Sequence, residues 1–154
     1  MTNKIYSRLI MATKGSNYQG TRLRIAFCIL VLTGIYLNQL LTLKVDKVKI
    51  LLKHQDLLSP AGRKILNDRS KDFMLMFLIK ESNDSYIFSS DLEHHKMLRR
   101  ETLTKAVNKI MKKVSHQLRD KPNITTSSFR VGYIKQLWKD PTDLEIVKQT
   151  IFEH

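Results

Sequence analysis

Between Arg24 and Lys44 the chain runs for nineteen residues, Ile25 to Leu43, without a charge. A segment of that kind leaves water, either for a bilayer or for the middle of a protein core. Nineteen residues meet the minimal length of a spanning helix. Only "IAFCILVL" is strongly apolar, however, and Thr33, Gly34, Tyr36, Asn38, Gln39 and Thr42 follow it. These lower the hydrophobicity sharply past the midpoint of the run. Other segments are amphipathic and need a common core to cover. The run is therefore expected to form the buried central helix of a globular domain. A small basic membrane protein with a span at about residues 25–43 is the alternative.

Charge narrows the partners. The 154 residues include 27 Lys and Arg against 14 Asp and Glu, a net charge of +13. A field of that sign concentrates polyanions, so nucleic acid or an anionic membrane is the natural partner. Lys- and Ile-rich usage also fits an AT-rich plastid, plasmid or phage genome. The single cysteine, Cys28, excludes an internal disulfide framework and, within the apolar run, is expected to be a small core residue. The first twenty residues lack the compact apolar region and cleavage site of a secretory signal, which predicts an intracellular protein.

Along the chain the pattern is mainly helical. Residues 6–12 read as a short helix, followed by the loop "TKGSNYQG" and a long helix over about 21–42. "LKVDKVKILLK" alternates and is rich in β-branched residues, predicting a strand or a short extended piece. "SPAGRKILNDR" opens with a serine N-cap and a proline at the first helical position. "DFMLMFLIK" fits helix or strand, with helix favoured, and "SNDSYIFSS" reads as a short strand or turn. The clearest element is "RETLTKAVNKIMKKVSHQL". There Leu103, Val107, Ile110, Val114 and Leu118 recur at spacings of four and three, one face of a helix. Lys105, Lys109, Lys112, Lys113 and His116 lie elsewhere on its surface. Two further helices are predicted in "TSSFRVGYIKQLW" and "DPTDLEIVKQTIF". The expected fold is one domain over residues 1–154, mainly α with a small, shortened β element.

The order of these elements resembles the catalytic domain of the tyrosine recombinases, the phage-integrase family. In that family a buried helix ends in Thr-Gly-x-Arg-x-x-Glu-Leu and runs into Leu-x-Leu-Lys. Thr33, Gly34, Gln39, Leu40, Leu43 and Lys44 keep that frame here. The segment from "ITTSSFRVGY" to "TIFEH" is similar to the family's His-x-x-Arg helix and the following helix that ends in Gly-His. Within the family the chain is most similar to the divergent recombinases carried by plastids and plasmids of algae. The resemblance implies a truncated catalytic domain that lacks the N-terminal DNA-clamping domain and the C-terminal nucleophile segment. It also implies double-stranded DNA as the partner, another recombinase subunit as a second partner class, and no metal, cofactor or small-molecule substrate.

In the family a tyrosine hydroxyl attacks a DNA phosphodiester, and two arginines grip the phosphate while histidine and lysine assist proton transfer. Arg130 stands at the second arginine position and His154 at the histidine of Gly-His, with Glu153 in place of its glycine. Tyr36 stands at the first arginine position, Gln39 at the accompanying acid and Ser127 at the histidine of His-x-x-Arg. The hairpin that carries the family's lysine looks shortened, and Lys53 is not assigned to that role. The chain ends at His154, before the family's nucleophile. Losing one transition-state donor costs about a hundred- to a thousandfold in rate, so the expectation is a DNA-binding protein without strand-exchange activity. Phosphate contacts are expected from Arg130, Lys105, Lys109, Lys112 and Lys113. His94 and His95 have no acidic or cysteine cluster around them to make a metal site. Trp138 is read as a core or interface anchor. A decaying reading frame without function is a further alternative.

Overall fold

The computed structural model describes residues 3–13, 18–33, 35–72, 74, 84–89, 96–121, 123–125, 145–147 and 149–150. These form α1 (Asn3–Ala12), α2 (Tyr18–Thr33), α3 (Leu37–Leu41), α4 (Val45–Lys53), α5 (Pro60–Asp68) and α6 (Arg100–Gln117). A 3-10 turn, Gln55–Leu57, links α4 to α5. Residues 70–72 and 145–147 are also helical.

The uncharged run supplies the centre. Every residue from Thr21 to Leu32 is buried: from Ile25 on, α2 is apolar on all sides, and its neighbours surround it. α1 and α5 both pack on α2, while α6 packs against α1 and α3. At sixteen residues α2 is about 24 Å long, short of a hydrocarbon layer of about 30 Å. No helix among the described residues is long and apolar enough to cross a membrane.

Two arginines enter the core with this helix. Arg22 is 1% exposed, and its Nη2 donates to Ser89 Oγ at 3.5 Å. Arg24 donates from Nη1 to the Thr13 carbonyl at 2.6 Å and from Nη2 to Thr21 Oγ1 at 3.1 Å. Its Nε lies 3.1 Å from Asp72 Oδ1, and Arg69 Nη1 approaches Asp72 Oδ2 at 3.7 Å. Arg24 therefore joins the end of α1, the first turns of α2 and the helical turn at 70–72. A buried charge needs such partners, and near a helix N-terminus a cation gains nothing from the dipole.

Three sequence expectations are corrected. The helix expected over 21–42 is interrupted: α2 ends at Thr33 and α3 begins at Leu37, with Tyr36 extended at φ −75°, ψ 151°. Gln39, at the third position of α3, reaches back so that its Oε1 accepts from the Tyr36 N–H at 3.2 Å. Half of a capping box thus starts a new helix where the sequence pattern ran on. Second, "VDKVKILLK" is helix α4, not a strand. Val45, Val48 and Leu51 are buried at spacings of three, and that packing overrides their β preference. Asp46 in its first turn and Lys53 in its last suit the helix dipole. Third, the small β element shrinks, among the described residues, to two isolated antiparallel bridges, Lys44 with Tyr86 and Ser89 with Met97. They pin the fully buried Ile87 and Phe88 between Leu43 and Leu98, through Ile87 N–H to Leu43 O (3.0 Å) and Leu98 N–H to Phe88 O (2.9 Å).

Other expectations hold. Ser59 caps α5, its hydroxyl accepting from the Gly62 N–H at 3.2 Å, with Pro60 in the first turn; such a cap contributes about 1 kcal/mol. Residues 145–147 are helical within "DPTDLEIVKQTIF". The helix predicted in "TSSFRVGYIKQLW", with Trp138, and nearly all of "DFMLMFLIK" lie outside the described residues.

Cys28 is a core residue as expected, fully buried with Sγ 3.9 Å from the Ile65 carbonyl. Burial, above all, pushes its thiol up to about 12. The reagent 5,5'-dithiobis(2-nitrobenzoate) should therefore find no reactive thiol in the native protein at pH 8, and one per chain once it is unfolded. The same shift carries a sign. Above pH 9 the unfolded thiol ionises while the folded one keeps its proton until about 12. Stability should thus fall with rising pH across that window. Rapid native labelling would show that the core around Cys28 opens.

Candidate nucleic-acid interface

α6 is amphipathic for a simple reason of spacing. Leu103, Val107, Met111 and Val114 are buried, and Ile110 and Leu118 pack at the edge of the core. Met111 was not part of the expected stripe. It lies between Val107 and Val114 on the face that meets α1 and α3, where its unbranched side chain fills the core.

The opposite face carries a basic strip. Lys105, Lys109, Lys112, Lys113 and His116 are all exposed and fall within an arc of about 100° of the helix. From 105 to 116 they extend about 17 Å along the axis, the rise of roughly five base pairs of duplex. Arg99 and Arg100 precede this strip and Arg119 and Lys121 follow it, all exposed. Residues 96–121 hold nine Lys and Arg against two Asp and Glu, so more than half of the net charge of +13 sits on this one helix and its ends. Among the described residues no carboxylate forms an ion pair with any of the four lysines.

This arrangement disfavours the isolated helix. Lys105 with Lys109 and Lys109 with Lys113 are like charges four residues apart, each pair destabilising by about 0.2–0.5 kcal/mol. The core face alone would hold α6 in place. A row of lysines on a helix held in the core from behind presents cations that phosphates of a nucleic acid can meet without sequence being read.

The remaining candidates separate. Tyr36 is 60% exposed on the extended connector just before α3, and α3 touches α6. Gln39, expected to stand in for an acid, serves as the backbone cap of α3. The hairpin that the recombinase resemblance implies after Lys44 is absent: α4 and the 3-10 turn fill residues 45–57, and Lys53 lies exposed in the last turn of α4. Lys44 is instead tied to Tyr86, by the backbone bridge and with its Nζ 5.2 Å from the ring centre. Arg130, Ser127 and His154 lie outside the described residues, as do His94 and His95. No cluster of His, Cys, Asp or Glu among the described residues could hold a metal ion.

Sequence reasoning missed the structural use of Arg22 and Arg24. Their only signal was position, two arginines in the first turns of a helix that otherwise had to be buried. Comparison with protein-family models, with curated proteins and with solved structures returns no match to this chain. The architecture and the site therefore stand on the chain's own residues: a mainly helical domain around one buried helix, with a basic helix on its surface.

Proposed function

We propose that this protein binds double-stranded DNA through its phosphate backbone and that it is a relative of the tyrosine recombinases without strand-exchange activity. One observation carries the binding: Lys105, Lys109, Lys112 and Lys113 stand together on the solvent face of α6 while its other face is fixed in the core. Lys105, Lys109, Lys112 and Lys113 make the contacts, and Arg130 adds a guanidinium suited to bidentate phosphate contact. The recombinase relationship rests on the frame from Thr33 to Lys44 and on "SSFR" ending at Arg130.

Catalysis is not part of the proposal. The first arginine position holds Tyr36, which supplies no cation, and Ser127 replaces a histidine. A helix stands where the lysine-bearing hairpin is implied. Each such loss costs about a hundred- to a thousandfold in the stabilisation of a pentacoordinate phosphate. What survives is affinity of the sequence-independent kind.

The test is a titration of the protein against a labelled duplex between about 50 and 200 mM salt. Binding should weaken linearly on logarithmic axes, with a slope that reports the number of phosphates contacted. Arg130→Ala should lower affinity and shallow that slope by about one contact. Absence of binding by the folded protein at the lowest salt would remove the proposal.

A further inference from the structure

α1 and α6 lie side by side, and an open groove of about 590 Å³ runs between them. Ser7, Arg8, Met11 and Ala12 line it from α1, Lys113 and Gln117 from α6. Its volume falls within the range of ligand sites, about 300–1,000 Å³. Among the described residues no carboxylate lines it, and the charged groups there are Arg8 and Lys113. Met11 is 62% exposed, an apolar side chain that the core does not use.

Lys113 belongs both to this groove and to the basic face of α6, so the groove opens beside the row of cations, with Met11 and Ala12 as its apolar lining. Phosphates alone do not match such a recess. Its chemistry suits an anion that carries a flat body with a polar edge. Arg8 offers a guanidinium plane for stacking, Met11 and Ala12 apolar contact, and the Ser7 hydroxyl and Gln117 amide both donors and acceptors. Bases inside an uninterrupted duplex are stacked and cannot enter, whereas an unpaired base can be splayed out and held by stacking and by its edge.

We infer that the groove takes the base of an unpaired nucleotide at the end of a duplex held on α6, so that the ligand is DNA with a single-stranded overhang. The inference rests on the phosphate-binding reading above and names its substrate more closely. It is tested by fluorescence anisotropy with two probes, a blunt duplex and the same duplex with a short unpaired tail on one strand. The tailed probe is expected to bind about fivefold more tightly, the scale of a single modest contact. Met11→Ala should abolish that advantage while leaving the affinity for the blunt duplex unchanged. Arg8→Gln serves as a second variant and should likewise abolish it. Met11 is exposed, so the melting temperature of the first variant should match the parent.

Equal binding of both probes by the parent protein would overturn this inference and leave the proposed function standing. A preference that survives both substitutions would overturn the assignment to the groove. Binding to neither probe would overturn the proposed function and this inference with it.

Discussion

Replacing Lys105, Lys109, Lys112 and Lys113 together by Gln should abolish most DNA binding while leaving the fold intact or slightly more stable. Each lysine that neutralises a phosphate contributes about 0.9 to the slope of log affinity against log salt. Removing four contacts should therefore shallow the slope by as much as about 3.6. At low salt, where this term is largest, the loss of affinity should be at least about a hundredfold, decided in the same titration. Stability moves the other way. All four side chains are exposed and no described carboxylate pairs with them. Their removal relieves like-charge pairs of about 0.2–0.5 kcal/mol each. A calorimetric melt should accordingly show an unchanged or raised Tm. If the lysines merely solubilise the helix, the quadruple variant will bind DNA as the parent does. That result would end the case for this face.

The second large effect concerns the core. Arg24→Met should destabilise the protein by about 3 kcal/mol, the lower end of what breaking a buried ion pair costs. The lower end applies because Arg24 and Asp72 keep 11% and 14% of their side chains in contact with solvent. The loss arises from the carboxylate left behind with only the more distant Arg69, and from the Thr13 carbonyl and Thr21 hydroxyl that Arg24 no longer serves. For a chain of this size that corresponds to a fall in Tm of about 10 °C. Asp72→Leu added to Arg24→Met should recover part of the loss, because the orphaned charge goes with it. Urea denaturation of both single variants and the double variant measures the coupling. A change below about 0.5 kcal/mol for Arg24→Met would show that the pair is an ordinary surface contact.

These two predictions mark different kinds of legibility. The basic face and the buried stripe of α6 could be read from the sequence because both are set by positions three and four apart on one helix. The start of α5 was legible for the same reason, since Ser59 and Pro60 act within a single turn. α4 was not, because alternation and β-branching favoured a strand until the burial of Val45, Val48 and Leu51 was known. The break before α3 was not legible either, because it involves an extended Tyr36 and a local bond from its N–H to the Gln39 side chain, which the apolar pattern does not reveal.

The sequence by itself determined that the strongly apolar stretch at residues 25–32 had to be hidden, that a strongly basic helix would face outward, and that Cys28 would lie in the core. Each follows from local composition, and the hydrophobic effect acts on it whatever the partner elements are. Only the tertiary structure decided that α2 is enclosed by other helices, that Arg22 and Arg24 enter the core, and that α1 meets α6 along a groove. Those depend on residues distant along the chain, as in the 67-residue separation of Arg22 from Ser89. No periodicity encodes such a distance: a buried charge is tolerated only where a partner arrives, and the fold brings the partner.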